Sequence, residues 1–317
     1  MSIERATGER ATGRCPILGV VIPVLDDGRH VEALIRYWHV TLEEEELGPD
    51  VVFLIIDDSP APFAAIRLAR WLSERGLQAT VHRQDPPRGP GAARQVGIEL
   101  SSTEFVCFLD VDDRSHPGVF LEAAKLARSQ NLDLVALGFA VESELGHVVE
   151  RDSAPREGSF WEDLLVRRVG VWRFVFSLRF LDDVDASFPE WSYAEDLSFL
   201  LQCVDGKPRA SYLARQGYTY IQHSRGLSGR RPTASQARRA LEGLRENPNA
   251  RADDGRYLRA LWRARIAILG GWSLAPYVID ALPVLIRRPQ KSFKVGLSGM
   301  SRRAARPRGS TRPKDAV

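Results

Sequence analysis

Asp110, Asp112 and Asp113 crowd into four consecutive positions at the end of the apolar run Phe105-Val-Cys-Phe-Leu109. Carboxylates this close repel one another unless positive charge lies among them, and a divalent cation held through hard oxygen ligands is the economical solution. Alone, Asp112 or Asp113 would be read as the cap of a helix beginning near Pro117. Recurrence tips the reading. Asp26 and Asp27 follow the run Ile17-Leu-Gly-Val-Val-Ile-Pro-Val-Leu25, and Asp57 and Asp58 follow Val51-Val-Phe-Leu-Ile-Ile56. Acid clusters repeated at the ends of apolar runs point to a nucleotide and metal site rather than to turn chemistry alone.

Other residues suit the same chemistry. Glu195 and Asp196 open a helix whose Leu197, Leu200, Leu201 and Val204 recur at core spacing. Acids in a first helical turn are favoured by the helix dipole in any case. Preceded by Trp191 and Tyr193, the pair also reads as a substrate-facing base beside an aromatic wall. His223 ends a strand-like stretch and could lend nitrogen to a metal. Gly89-Pro90-Gly91 lacks both GxGxxG spacing and a Walker lysine and is weak as a phosphate motif. Arg88 and Arg94 beside it belong either to a solvated helix face or to a phosphate contact.

Apolar runs at residues 17–25, 51–56 and 105–109, with a shorter one at 79–83, alternate with helical patterns at 31–47, 63–75, 92–100 and 118–130. Such alternation predicts parallel βαβ units with right-handed crossovers, hence an α/β fold. The loops after the carboxyl ends of its strands share one rim, where ligands bind. The three acid clusters are therefore expected together. Further along, the pattern predicts a strand over 132–141, a hairpin over 146–152, a helix over 160–168 and strands over 210–222. The aromatic run 171–180 fits a strand or a short helix equally well.

The 317 residues can bury a large core, and the formal charge of +3 conceals a basic excess after Arg287. Cys15, Cys107 and Cys203 are scattered and without metal-ligand spacing, which predicts a reducing cytoplasm. Residues 1–14 lack the apolar core of a secretory signal. Helices are expected over 234–245 and 257–267. The apolar stretch 266–286 is long enough to span a bilayer, but Asp280, Pro276, Pro283 and Gly270-Gly271 argue for an interfacial or packed helix. With the basic tail from Lys291 to Lys314, this predicts a cytoplasmic protein making peripheral contact with an anionic inner membrane face. Basic residues fall outside any nucleic-acid reading module, so no nucleic-acid partner is expected.

Taken together, residues 18–228 resemble the family 2 glycosyltransferases. Val20-Val-Ile-Pro-Val24 looks like the family's opening strand and Ile55-Ile-Asp-Asp-Ser59 like its nucleotide-binding acidic turn. Arg88-Gly-Pro-Gly-Ala-Ala-Arg-Gln-Val-Gly-Ile98 is similar to the segment beside the nucleotide, with Gln95 where Asn is usual. Leu109-Asp-Val-Asp-Asp113 resembles the DxD metal motif, Glu195-Asp196 the ED motif with the catalytic base, and the segment from His223 to Ser228 the late metal and phosphate contact. Ser59-Pro60 and Leu25-Asp26 depart from the usual Gly-Ser and Tyr-Asn.

The resemblance implies a GT-A fold, a Rossmann-like, mixed, mostly parallel sheet flanked by helices, here with a C-terminal helical extension. It divides the chain into a lead (1–15), a GT-A domain (16–230, with halves 16–115 and 116–230), an extension (231–290) and a tail (291–317). It implies an inverting, hexosyltransferase-type enzyme taking a nucleotide-sugar, UDP by frequency, to a hydroxyl of a glycan, lipid-linked or small-molecule acceptor. Pro23, Val24, Asp57, Asp58, Arg88, Gly91, Arg94, Asp110, Val111 and Asp112 would bind the donor. Asp112, Asp113 and His223 would bind Mn²⁺ or Mg²⁺, Asp196 with Glu195 would supply the base, and Trp191 and Tyr193 would meet the acceptor. Gln236-Ala-Arg-Arg-Ala240 carries the polar part of the processive QxxRW signature without its Trp, which implies single addition. The alternatives are a nucleotidyltransferase, whose Gly-rich, Lys-bearing activation loop is missing, and a noncatalytic nucleotide-binding module.

Overall fold

The computed structural model describes residues 15–25, 28–59, 63–152, 154–155, 160–167, 170–191, 193–223, 232–244 and 253–270. Asp26, Asp27, the segment from Ser224 to Ser228, and the apolar and basic stretches beyond residue 270 lie outside them.

The predicted alternation is present as β1 (Leu18–Val24), α1 (Arg29–Thr41), β2 (Val51–Asp57), α2 (Phe63–Ser73), β3 (Gln78–Arg83), α3 (Pro90–Leu100) and β4 (Phe105–Phe108). A two-residue β5 (Arg114–Ser115) leads to α4 (Pro117–Gln130), the long β6 (Leu134–Ser143), β7 (Val148–Arg151) and α5 (Phe160–Arg167). The ambiguous aromatic run is neither one strand nor one helix. It divides into a 3-10 turn at Val171–Arg173, β8 (Phe174–Ser177) and α6 (Leu178–Asp183). The Ser177 hydroxyl accepts from the Phe180 amide and so caps α6, which ends the strand there. α7 (Glu195–Asp205), β9 (Ala210–Gln222), α8 (Ala234–Gly243) and α9 (Asp253–Gly270) follow.

Among the described residues one sheet runs β3-β2-β1-β4-β8-β6-β9-β5, with β7 paired to β6. β1 to β4 are mutually parallel; β8 inserts antiparallel between β4 and β6, and β9 lies parallel to β6. β1, β2, β3, β4, β6 and β9 thus share a direction, which agrees with a mixed, mostly parallel sheet. Both faces are covered, so β1 is apolar throughout: Val20, Ile22 and Val24 pack toward α1, α2 and α4, while Val21 packs toward α3, α7, α8 and α9.

α3 lies very close to the sheet. A Cβ on Gly97 would fall 2.3 Å from Val21 Cγ1, so only glycine permits this approach. The C-terminal helices complete the same core. Tyr257, Leu258, Leu261, Ile266 and Ala267 of α9 are buried with Leu197, Leu200 and Leu201 of α7. Arg259 pairs with Asp205, each side chain 7% exposed, and the Trp262 indole N–H donates to the Leu165 carbonyl at 3.0 Å.

Candidate active site

The turn after β4 holds Asp110, Val111, Asp112 and Asp113, and their carboxylates have different fates. Arg94, on the second turn of α3 and only 4% exposed, reaches across to this turn and donates from Nη2 to Asp110 Oδ1 at 2.7 Å. Its other arm, Nη1, donates to Asp196 Oδ1 at 2.7 Å and lies 3.9 Å from Glu195 Oε1. One guanidinium therefore joins the β4 turn to the acids that open α7. Gly91 makes room, since a Cβ there would meet Glu195 Cγ at 3.1 Å.

α7 begins without a side-chain cap, after Ala194 in the left-handed region at φ 62°. That conformation costs an L-residue about 1–2 kcal/mol. It lets the chain turn so that both acids enter the first turn facing Arg94. Burial raises the Glu195 carboxyl to about 7, with the Asp196 charge adding to the rise and Arg94 opposing it. Burial also raises Asp196, again against Arg94. Arg94 itself is held more firmly protonated: burial acts to lower it, and the surrounding Asp110, Asp196 and Glu195 charges outweigh that.

Asp112 is the outward-facing acid. His223 Nε2 lies 3.8 Å from Asp112 Oδ2 and within 3.4 Å of the Asp112 carbonyl oxygen, while Nδ1 lies 3.2 Å from Glu144 Oε1. The His30 ring stands edge-on to His223 at 5.6 Å. Burial and the Asp110 charge raise the Asp112 carboxyl. A cation beside it would relieve that repulsion, and a carboxylate with an imidazole is a donor set that divalent metals accept.

Asp113, expected as a metal ligand, is turned inward. The Tyr218 hydroxyl donates to its Oδ2 at 2.5 Å and the Ile221 amide to its Oδ1 at 2.6 Å, and the residue is 6% exposed. Tyr218 also accepts from the Asp110 amide at 3.4 Å and stacks on Trp172 at 4.5 Å between ring centroids. Asp113 thus ties β9 to the acidic turn instead of facing Asp112 and His223. Among the described residues no group of three or more His, Cys, Asp or Glu forms a metal cage. Asp112 and His223 fit a cation that takes its remaining ligands from substrate oxygens and water, as Mg²⁺-type sites do.

The β2 acids reach the expected rim but spend their oxygens on the chain. Asp57 accepts from the Ser59 amide at 3.1 Å and from Arg83 at 3.2 Å. Asp58 accepts from the Arg88 amide at 2.7 Å, the Gly89 amide at 2.7 Å and Gln84 Nε2 at 3.1 Å. Asp58 therefore shapes the loop before α3. The Arg88 side chain leaves the cluster and pairs with exposed Glu190 at 2.5 Å. Pro23 and Val24 are buried at the end of β1, where the Val24 carbonyl accepts from the Asp58 amide at 2.8 Å, and Val111 is 8% exposed.

Sequence reasoning missed several contributors. His30 had no signal beyond its place at the start of a helix after an acidic turn. Tyr218 read only as a strand aromatic. Gln84 is 5% exposed and its Oε1 has no hydrogen-bond partner, an unsatisfied acceptor beside Asp58. Trp191 and Tyr193 line a small cavity with Ser235, Gln236 and Arg239 of α8.

The profile described as Glycosyl transferase family 2 matches residues 20–175. No curated protein matches the chain. Among solved structures, residues 1–349 of S. aureus TarS in complex with UDP-GlcNAc share the fold with a TM-score of 0.63 at 17% identity, covering 88% of this chain and 83% of that one. For the longer S. aureus TarS structure the TM-score is 0.59 at 17% identity, covering 88% of this chain, which spans half (50%) of that length. Mannosyltransferase PcManGT from Pyrobaculum calidifontis, in complex with GDP-Man and Mn²⁺, gives a TM-score of 0.53 at 14% identity over 89% of this chain and 84% of that one. At these identities the likeness is one of fold, and it is the profile, lying over β1 to β8, that makes the chain a member of glycosyl transferase family 2.

Proposed function

We propose that this chain transfers a single sugar, with inversion, from a nucleotide-sugar to an acceptor hydroxyl. UDP-sugars are the first donors to test, given the UDP-GlcNAc bound by TarS. The observation that carries the reading is Arg94, which at 2.7 Å on either side ties the β4 turn to the Glu195–Asp196 pair and so sets a donor-side acid against a candidate base.

In this reading Asp196 takes the acceptor's proton as the hydroxyl attacks from the face opposite the leaving diphosphate. Its partner Arg94 keeps the carboxylate charged and aimed, and Glu195 shares the same cation. General-base help of this kind contributes typically about 10²–10⁴-fold. Asp112 and His223 would hold Mn²⁺ or Mg²⁺, which when bound neutralises charge on the leaving diphosphate. Asp110 meets the sugar or ribose, and the Asp57 and Asp58 turn with Pro23, Val24 and Gly91 frames the base pocket. Asp113 acts behind them by fixing the turn. Hexose as the transferred sugar, release after one addition, and peripheral membrane contact through the segments beyond residue 270 belong to the same proposal.

The test is thermal stability and calorimetric binding with UDP, GDP and dTDP, each with and without Mn²⁺. A nucleotide that stabilises the wild type only with metal, and fails with Asp112→Ala, supports the donor site, because a ligand of the folded state alone raises stability. Asp196→Asn should bind the same nucleotide and lose transfer. Turnover near the wild-type rate in that variant refutes the assignment of the base.

A further inference from the structure

A buried cation stands apart from the acids already described. Arg173, the last residue of the 3-10 turn at Val171–Arg173, is 1% exposed. Its Nη2 donates to the Leu137 carbonyl of β6 at 3.2 Å and to Asp152 Oδ2, just past the end of β7, and its guanidinium lies 4.6 Å over the Phe139 ring. The Tyr212 hydroxyl of β9 donates to the same Asp152 oxygen at 3.1 Å, and the Asp152 amide donates to the Phe139 carbonyl at 2.8 Å. Asp152 therefore clamps the turn to β6 and β9. Arg173 Nε is buried with no hydrogen-bond partner. A buried pair of this kind is weak evidence for stability, because apolar residues of the same volume often serve as well or better. Geometry is what it can supply.

The two residues before Arg173 show what that geometry serves. Val171 packs into the core on the α7 side of the sheet and Trp172 into the core on the other side. Burial raises the Asp196 carboxyl, and besides Arg94 the Val171 amide opposes the rise by donating a hydrogen bond to it. Trp172, 4% exposed, stacks on Tyr218 at 4.5 Å between centroids and 12° between planes, and meets Phe139 edge-on at 5.1 Å. Gly170 lets the chain pass this closely, since a Cβ there would fall 2.1 Å from the indole nitrogen. Tyr218 in turn holds Asp113 through its hydroxyl at 2.5 Å and accepts from the Asp110 amide at 3.4 Å. One short turn thus reaches the candidate base on one side and, through an aromatic stack, the acidic turn after β4 on the other. Neither contact passes through Arg94.

We propose that Arg173 is a positioning residue for sugar transfer: its pairing with Asp152 fixes the Val171–Arg173 turn, and the turn sets the aim of Asp196 together with the seat of the acidic turn after β4. The proposal rests on the glycosyltransferase reading above and gives Arg173 no contact with substrate.

Two readouts on the full chain test it. The first is the ¹³C carboxyl signal of Asp196, identified by its loss in Asp196→Asn and followed against pH. Arg94, Asp110 and Glu195 are the charged groups that face this carboxyl, and every variant below leaves them in place. The second is release of UDP from UDP-GlcNAc with Mn²⁺, the bond from the sugar to UDP being exchanged for one to water. Arg173→Met should raise the carboxyl midpoint by about one pH unit and slow UDP release about tenfold or more. Arg173→Met combined with Asp152→Asn removes both charges and leaves Tyr212 an acceptor, so it should regain stability in urea without regaining either readout. It carries the same test if Arg173→Met alone does not fold. Arg259→Met breaks a comparably buried pair at the far end of α7 and should cost stability while both readouts keep their wild-type values. Wild-type readouts in the Arg173 variants, recovery of both readouts along with stability in the double variant, or equal losses in Arg259→Met overturn the proposal. If the wild type releases UDP and the carboxyl midpoint ignores Arg173, the proposal alone falls. If the midpoint moves as expected and the wild type neither binds nor cleaves UDP-GlcNAc, the fixing of Asp196 by Arg173 stands and the donor reading falls.

Discussion

Arg94→Met distinguishes an organised base from two acids that happen to be near each other. Methionine keeps the length of the stem and removes the fork that donates to Asp110 and Asp196 at 2.7 Å each. A hydrogen bond to a charged group is worth about 1.5–3 kcal/mol, and removing one partner of a buried ion pair costs about 3–5 kcal/mol. The Asp110 and Asp196 side chains are 25% and 21% exposed, so water recovers part of that loss. The expected destabilisation sits at the lower end, about 3 kcal/mol in denaturant unfolding. Catalysis should change in a way that mere loosening would not produce. Burial raises the Asp196 carboxyl and Arg94 opposes it, so without Arg94 the carboxyl rises further and the acidic limb of the kcat profile moves to higher pH. Misaiming the base should lower kcat by about 10²-fold with the donor KM little altered. Arg94→Lys restores the charge but not the two-armed geometry, so it should recover the pH limb more fully than kcat. A Met variant whose acidic limb and kcat both match wild type refutes the idea that Arg94 holds the base.

Glu195→Gln should flatten the dependence of stability on pH. The folded carboxyl is raised from 4.5 to about 7, so wild-type stability is fully present below about pH 4.5 and is lost as pH rises through about 7. The change is worth about 3 kcal/mol and is read as urea midpoints across that window. Tyr218→Phe removes the hydroxyl that Asp113 accepts and should cost about 1.5–3 kcal/mol. It should also weaken metal-dependent nucleotide binding through the slackened turn; unchanged binding would separate Asp113 from the site. Truncation after Gly270 should leave the folded domain intact, whereas truncation after Gly255 removes the buried Tyr257, Leu258, Leu261 and Ile266 and should yield insoluble or unfolded protein. Equal solubility of the two would show that α9 is not part of the core. If the longer truncated form leaves the membrane fraction where the full chain does not, the segment beyond 270 is the anchor.

Much of the fold was legible because its signals are local. Apolar runs ending in acids mark parallel strands and their shared rim; β1, β2 and β4 are mutually parallel, and the acids after β2 and β4 follow that rule. Where the signal was not local, reading failed or stopped. Whether Asp113 faces a metal or the core depends on β9, whose Tyr218 lies 105 positions away and arrives by register with β5. Arg94 was open between solvent and phosphate because its partners sit 16 and 102 positions along the chain. The run 171–180 stayed ambiguous because three short elements share one aromatic composition, and only the cap at Ser177 separates them. The helix expected to stop at residue 267 continues to Gly270 and packs on the core, since its apolar side has α7 to cover.

Arg94 also imposes a bookkeeping of its own on ligand binding. One cation is shared by a carboxylate on the β4 turn and a carboxylate of the candidate base. A ligand that draws Asp110 away leaves more of the guanidinium to Asp196, and thermodynamic reciprocity then requires that the protonation of Asp196 alter the affinity for that ligand by the same factor. Both carboxylates already meet on that one side chain, and the Asp110 charge also acts on Asp196 directly. That coupling would reside in a hydrogen-bonding pattern among Arg94, Asp110 and Asp196 that exists before any ligand arrives.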